Sequence, residues 1–121
     1  DGGSWSDLPA RFILKCHKQK NIGFHDVYGR LRWDDYSNTI TGGCLNPSKG
    51  RFLHPEQDRA ITPREAALLQ TFPKGYLFPN DVPKQSLALL IGNALPPKFS
   101  YFQSLNISKH IQMNTGVTWN R

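Results

Sequence analysis

An α+β fold is predicted for this chain, with a small, twisted, β-rich region followed by two helices. Three observations predict it. Val27, Gly29, Leu31 and Trp33 alternate with Tyr28, Arg30 and Arg32, the period of a half-buried strand. Thr62 and Glu65 stand at the spacing of a capping box, with Pro63 at the first helical position, where its missing N–H has no partner to lose. Farther on, Phe99, Phe102 and Leu105 recur at intervals of three, as on the buried face of a second helix.

Taken in order, residues 1–9 are rich in Gly, Ser and Asp and read as a loop ending in a turn at Asp7-Leu8-Pro9. Phe12, Ile13, Leu14 and Cys16 sit among Arg and Lys, which predicts a short helix over residues 10–20. Residues 27–33 form the first strand. Turn residues follow at positions 34–38, after which the β-branched Thr39-Ile40-Thr41 predicts a second strand, ended by Gly42-Gly43. Asn46-Pro47-Ser48-Lys49-Gly50 is a further turn, and Arg51-Phe52-Leu53 reads as a third strand.

The capped helix runs from about Pro63 to Phe72. Ile61 packs on Ala66 as a hydrophobic staple, Ala66, Leu69 and Phe72 supply its apolar face, and Pro73 and Gly75 stop it. Positions 74–83 are a Gly- and Pro-rich loop, and positions 85–91 read as a buried helical turn. The last helix starts at Pro97. From Ser108 the apolar pattern is lost, which predicts an irregular tail.

With 121 residues and 13.7 kDa, the chain suits one domain or part of one. It begins at Asp1, read as either a cut through a longer polypeptide or a processed end. No apolar run approaches the roughly 18 residues that span a bilayer, so no membrane partner is expected and a cytoplasmic setting is. Cys16 and Cys44 are too few for a disulfide framework, and no Cys or His spacing predicts a metal site. His17, His25, His54 and His110 are scattered and read as structural or surface residues.

The net charge is +6, and residues 11–51 carry eight Lys or Arg against three Asp. Such a stretch attracts a polyanion by releasing counterions, although a solvated basic surface has the same composition.

Two stretches carry a resemblance. Residues 59–73, Arg-Ala-Ile-Thr-Pro-Arg-Glu-Ala-Ala-Leu-Leu-Gln-Thr-Phe-Pro, resemble the ninth motif of the DNA cytosine-5 methyltransferases, with Ile61 in place of Leu. Residues 91–97, Ile-Gly-Asn-Ala-Leu-Pro-Pro, are similar to the tenth, with Leu95 in place of Val. Ser37-Asn38-Thr39-Ile40-Thr41 and Gly50-Arg51-Phe52-Leu53-His54-Pro55 also look like bacterial members, so the resemblance covers roughly residues 26–102.

The resemblance implies a division of the chain. Residues 1–54 would be the latter part of a DNA-binding target-recognition region, 55–84 the ninth-motif helix and loop, 85–108 the tenth-motif helix that completes the cofactor-binding domain, and 109–121 a tail. That last helix would pack on a Rossmann-like methyltransferase domain which this chain does not contain. Thr39-Ile40 matches the pair that contacts DNA near the flipped cytosine. Arg30, Arg32, Thr41, Lys49 and Arg51 are further candidates for DNA contact, the arginines through phosphates or bidentate bonds to guanine. Arg59, Thr62, Arg64 and Glu65 are expected to be architectural, organising the recognition region through its backbone. Gly92, Asn93, Ala94 and Leu95 would border S-adenosylmethionine, the methyl donor, held mainly by the absent N-terminal domain.

The family attacks C6 of a flipped cytosine with the thiolate of a Pro-Cys motif, assisted by the glutamate of Glu-Asn-Val. This chain has neither, since Cys16 follows Lys15 and Cys44 follows Gly43. The resemblance therefore implies a C-terminal segment that needs an N-terminal catalytic half, in the same polypeptide or as a separate subunit, with double-stranded DNA as its partner at the bacterial nucleoid. The alternative is a non-catalytic DNA-binding module. In isolation, the unpartnered face of the last helix is expected to cause dimerisation or partial disorder.

Overall fold

The computed structural model describes residues 1–18, 23 and 25–116. The described residues form three α-helices, α1 (Pro63–Leu69), α2 (Lys84–Asn93) and α3 (Pro97–Thr115), with single 3₁₀ turns at Trp5–Asp7, Lys15–Lys18 and Pro47–Lys49. Leu31, Ile40, Cys44 and Phe52 from the first half meet Ile61, Ala66, Ala67, Ala88 and Ile91 from the second in one buried core, flanked by Leu45, Phe72 and Phe78. The packing of α1 on α2 supplies the helical wall of this core.

The predicted β-rich region is reduced to two isolated bridges, Arg30 with Leu53 and Leu53 with Ala60, among the described residues. Short extended pieces do pair: Leu31 N–H donates to the Leu53 carbonyl at 2.9 Å, Leu53 N–H to Gly29 at 3.1 Å, and Ile61 N–H to Phe52 at 2.9 Å. Two causes keep them short. Tyr28 takes φ +57°, the left-handed region, and breaks the strand predicted for residues 27–33. The guanidiniums of Arg30 and Arg51 then occupy the carbonyls of His54, Gly2 and Arg30, which a longer ladder would need. The predicted strand at Thr39-Ile40-Thr41 also fails to pair. It alternates as expected, with Ile40 inside, but Cys44 N–H and Gly43 N–H bond the Thr41 carbonyl and hydroxyl and bend the chain into a turn.

The helices differ from expectation in number and length. Residues 85–91, read as one buried turn, belong to the ten-residue α2, so the predicted pair of helices is three. α3 continues through the predicted irregular tail to Thr115, and Gly116 closes it at φ +68° by donating to the Gln112 carbonyl. The helix predicted over residues 10–20 is only turns as far as Lys18, and residues 19–20 lie outside the described ones.

α1 starts where predicted but stops earlier. Thr71 N–H bonds the Leu68 carbonyl and Phe72 N–H bonds Ala67, a Schellman ending with Thr71 at φ +65° in the place usually held by glycine. Its buried face is Ala66, Ala67 and Gln70. Leu69, expected inside, is 41 % exposed and borders a surface cleft beside Leu68, because the inward line of α1 runs through Ala66, Ala67 and Gln70.

One close approach fixes α2. A Cβ on Gly92 would stand 2.1 Å from the Thr41 carbonyl carbon and 2.3 Å from the Gly42 nitrogen, so the helix and residues 41–42 meet backbone to backbone. Gly92→Ala is expected to destabilise the chain by about 1–3 kcal/mol, the usual cost of overpacking. Gly75→Ala, with nothing within 4 Å, should stay within about 0.5 kcal/mol. Urea denaturation of the two variants checks this contrast.

Candidate functional site

The centre of the site is the start of α1. The Thr62 hydroxyl accepts from Glu65 N–H at 3.2 Å, and Glu65 Oε2 accepts from Thr62 N–H at 2.7 Å, which closes the capping box. Arg59 grips the same carboxylate with both guanidinium nitrogens, at 2.7 and 2.8 Å. These charged bonds, led by that from Arg59 and helped by Thr62, outweigh partial burial and hold the Glu65 carboxyl at about 2, well below its ordinary 4.5. The same pairing raises the Arg59 guanidinium. A carboxylate so firmly ionised is a structural anion and a poor proton donor.

The rest of this cluster ties the cap to residues 54–58. Arg59 Nε donates to the Gln57 side chain at 2.5 Å and Nη1 to the Ala60 carbonyl at 3.1 Å. His54 is buried. Its Nδ1 accepts from the N–H groups of Glu56 and Gln57, which leaves the proton on Nε2, 4.0 Å from Glu65. Trp33 crosses the His54 ring edge to face and donates its indole N–H to Glu56 at 2.9 Å. Arg64 points the other way, bonding the Tyr76 carbonyl at 2.6 Å and lying over the Phe78 ring, so it organises the loop after α1 and makes no bond to the first half.

The C-terminal end of α1 grips the other side. Buried Gln70 donates its amide to the carbonyls of Ile91 at 3.1 Å and Ala94 at 3.4 Å, and the strained Thr71 offers its hydroxyl to Lys98 N–H at 3.1 Å. These contacts fix both the end of α2 and the start of α3. Sequence reasoning missed Gln70 and Thr71. The one available signal was a polar Gln at a position where the helical period calls for an apolar residue.

The predicted DNA-contacting residues separate into two groups. Arg30 is engaged internally, with bonds to the carbonyls of His54 at 2.9 Å and Gln57 at 2.7 Å and an ion pair with Asp58. Arg51 bonds the carbonyls of Gly2 and Arg30 at 2.9 and 3.2 Å. Ile40, at 4 % exposure, belongs to the core. Thr39, Thr41, Lys49 and Arg32 are exposed, Arg32 with only a loose 3.6 Å pairing to Asp35. Fully exposed Tyr36, not singled out from the sequence, stands beside Arg32 at the mouth of a polar cleft with Ser37 and Asn38.

Of residues 92–95, Asn93 is exposed at the last turn of α2 and Leu95 is 63 % exposed. The lack of a side chain at Gly92 is taken up by Thr41 and Gly42, so the close approach it permits is to the chain itself. Beyond it, α3 has no buried residue. Phe99, Tyr101, Phe102, Ile107 and Met113 are all more than half exposed. Among the described residues no group of His, Cys, Asp and Glu could hold a metal, and no helix is long and apolar enough to cross a membrane.

Residues 5–109 match the family model of the C-5 cytosine-specific DNA methylases. The type II methylase M.HgiDII of Herpetosiphon aurantiacus is 48 % identical over 98 residues, 78 % of this chain and 28 % of that protein. The type II methyltransferase M1.BsuMI of Bacillus subtilis is 42 % identical over 100 residues, 83 % of this chain and 23 % of its own length. DNA (cytosine-5)-methyltransferase 1A of rice is 41 % identical over 115 residues, only 7 % of its length. The chain thus spans about a quarter of the bacterial relatives. No solved structure matches it.

The Glu65 cluster carries a pH signature. Because its carboxyl is lowered to about 2 on folding, its contribution to stability is complete above about pH 5 and is lost as pH falls through 4.5 toward 2. Urea midpoints measured down this range should fall in the unaltered chain. In Glu65→Gln the midpoint should be lower at neutral pH, and this part of the acid decline should vanish.

Proposed function

Since the chain belongs to the C-5 cytosine-specific DNA methylases, we propose that it is the C-terminal segment of a DNA cytosine-5-methyltransferase, presenting duplex DNA and closing the cofactor pocket. The observation that carries this reading is the joint at α1. Its N-terminal cluster of Arg59, Thr62 and Glu65 holds the region that reads DNA, and Gln70 and Thr71 hold the tenth-motif segment. The enzyme as a whole would transfer a methyl group from S-adenosylmethionine to C5 of a cytosine turned out of a specific duplex sequence, because the reacting atoms are closed off inside the stack. It would act in the cytoplasm, at the bacterial nucleoid.

The residues present suit a bordering role toward the cofactor. The Asn93 side chain is exposed without a partner at the end of α2, and exposed Leu95 adds an apolar surface. In this reading Asn93 hydrogen-bonds the ligand's polar end and Leu95 covers an apolar part, while the sulfonium methyl is the group the cofactor supplies when bound. Gly92 acts from behind, by letting residues 41–42 press on the helix that carries Asn93. Thr39, Thr41, Arg32 and Lys49 face the DNA. Arg30 and Arg51 act indirectly, by holding the loops that present them.

The nucleophile and the assisting glutamate belong to the N-terminal half, because neither Pro-Cys nor Glu-Asn-Val occurs here. Cys44 suits no such role, being fully buried with its thiol pushed up by desolvation. The exposed apolar face of α3 is the surface that half would cover, and in its absence the chain is expected to self-associate there.

Mixing the chain with a recombinant N-terminal part of the Herpetosiphon relative tests the proposal. Labelled methyl transfer to duplex DNA is expected only when both parts are present, with loss of at least about tenfold for Asn93→Ala if it removes an interaction of about 1.4 kcal/mol or more. Two parts that fail to associate in sedimentation would overturn it.

A further inference from the structure

A second basic feature lies away from the arginines already discussed. A groove runs between the turn at residues 42–49 and the first half of α2, lined on one wall by Gly43, Asn46 and Lys49 and on the other by Lys84, Gln85 and Leu89. Lys49 and Lys84 are exposed on opposite walls, and neither side chain has a hydrogen bond or ion pair. No acidic residue lines the groove.

Its walls are set by close packing. A Cβ on Gly43 would stand 2.8 Å from the Lys49 side chain, and one on Gly42 would stand 2.7 Å from Leu89, so the lysine stem and the helix both press onto this glycine pair. The contact of Gly92 with Thr41 anchors the far end of α2. Lys84 lies eight residues earlier, about 12 Å along the helix axis. The groove therefore lies along the first half of α2, with an apolar floor that includes Leu45 and Ala88 and with Asn46, Lys49, Lys84 and Gln85 as its polar and cationic groups.

We propose that this groove carries the sugar-phosphate backbone of the bound duplex, with Lys49 and Lys84 each contacting a phosphate on opposite sides. The proposal rests on the reading of the chain as the DNA-presenting segment, and it adds α2 to the elements that touch DNA. Unpaired cations on facing walls with no local anion favour a polyanion that spans them, and lysine, as a compact point charge, suits phosphate without reading sequence. Lys84 is on this account a phosphate-binding residue contributed by α2.

The salt dependence of duplex binding by the 121-residue chain tests it, with Lys74→Gln, an exposed loop lysine outside the groove, as the control. Lys49→Gln and Lys84→Gln should each make the log–log slope against salt shallower by about 0.9, and the double variant by about 1.8. The weakening should be equal on two duplexes of unrelated sequence. Unchanged slopes in both variants with binding intact would overturn the groove assignment and leave the DNA-presenting role standing. Weakening confined to one duplex would also overturn it, since it would mark base contacts. Absence of duplex binding by the unaltered chain would overturn the groove assignment, while the methyltransferase reading is decided by the two-part transfer experiment.

Discussion

The arrangement depends on one buried amide. Gln70 stands where α1 ends and donates to the carbonyl of Ile91, which also accepts from Ala94 N–H, and to that of Ala94, the residue that caps α2. An apolar residue at this position would take the side-chain donor from both and leave the part-buried Ala94 carbonyl without it, at a cost of about 1–3 kcal/mol. The neighbouring Thr71 sits in a left-handed conformation unfavourable for a β-branched residue, and its hydroxyl receives the first free amide of α3. A seven-residue helix thereby controls the direction of the two longer ones.

The opposite end of α1 shows why so little sheet is needed in the first half. Arg30 and Arg51 reach into the loops and bond carbonyls that would otherwise require strand partners. Guanidinium groups can satisfy several carbonyls at once from a fixed fork. The consequence for function is that Arg30 and Arg51 are withdrawn from the basic surface of the recognition half, where Arg32 and Lys49 stay exposed. Charge count alone overstated the number of residues available to a polyanion.

Much of the second half was legible in the sequence because its signals are local. The Thr62–Glu65 box, Pro63 and the apolar run of α2 all act within a turn or two, and the start of α1 follows from them. What was not legible is what depends on distance. The alternation expected over residues 27–33 holds at Gly29 and Leu31 but fails at Trp33, which is 57 % exposed, and the strand is cut by the left-handed Tyr28 and by arginines whose acceptors lie more than twenty residues away. Leu69 looked like a core residue at i+3 from Ala66, but the buried line runs at i+4, through Gln70. At the candidate site, Gly92 was legible as a point of close approach, but what approaches it could be known only once Thr41 and Gly42 were placed.

α1 joins the first half of the chain to residues 91–98 as one mechanical unit. Native-state hydrogen exchange measures this directly, through the opening free energies of Ile61 N–H, which bonds Phe52, and Ala94 N–H, which bonds Ile91. The account predicts that both amides open in one cooperative step and that Gln70→Leu lowers their protection together. Opening of the two at unrelated free energies, with Gln70→Leu affecting Ala94 alone, would contradict it.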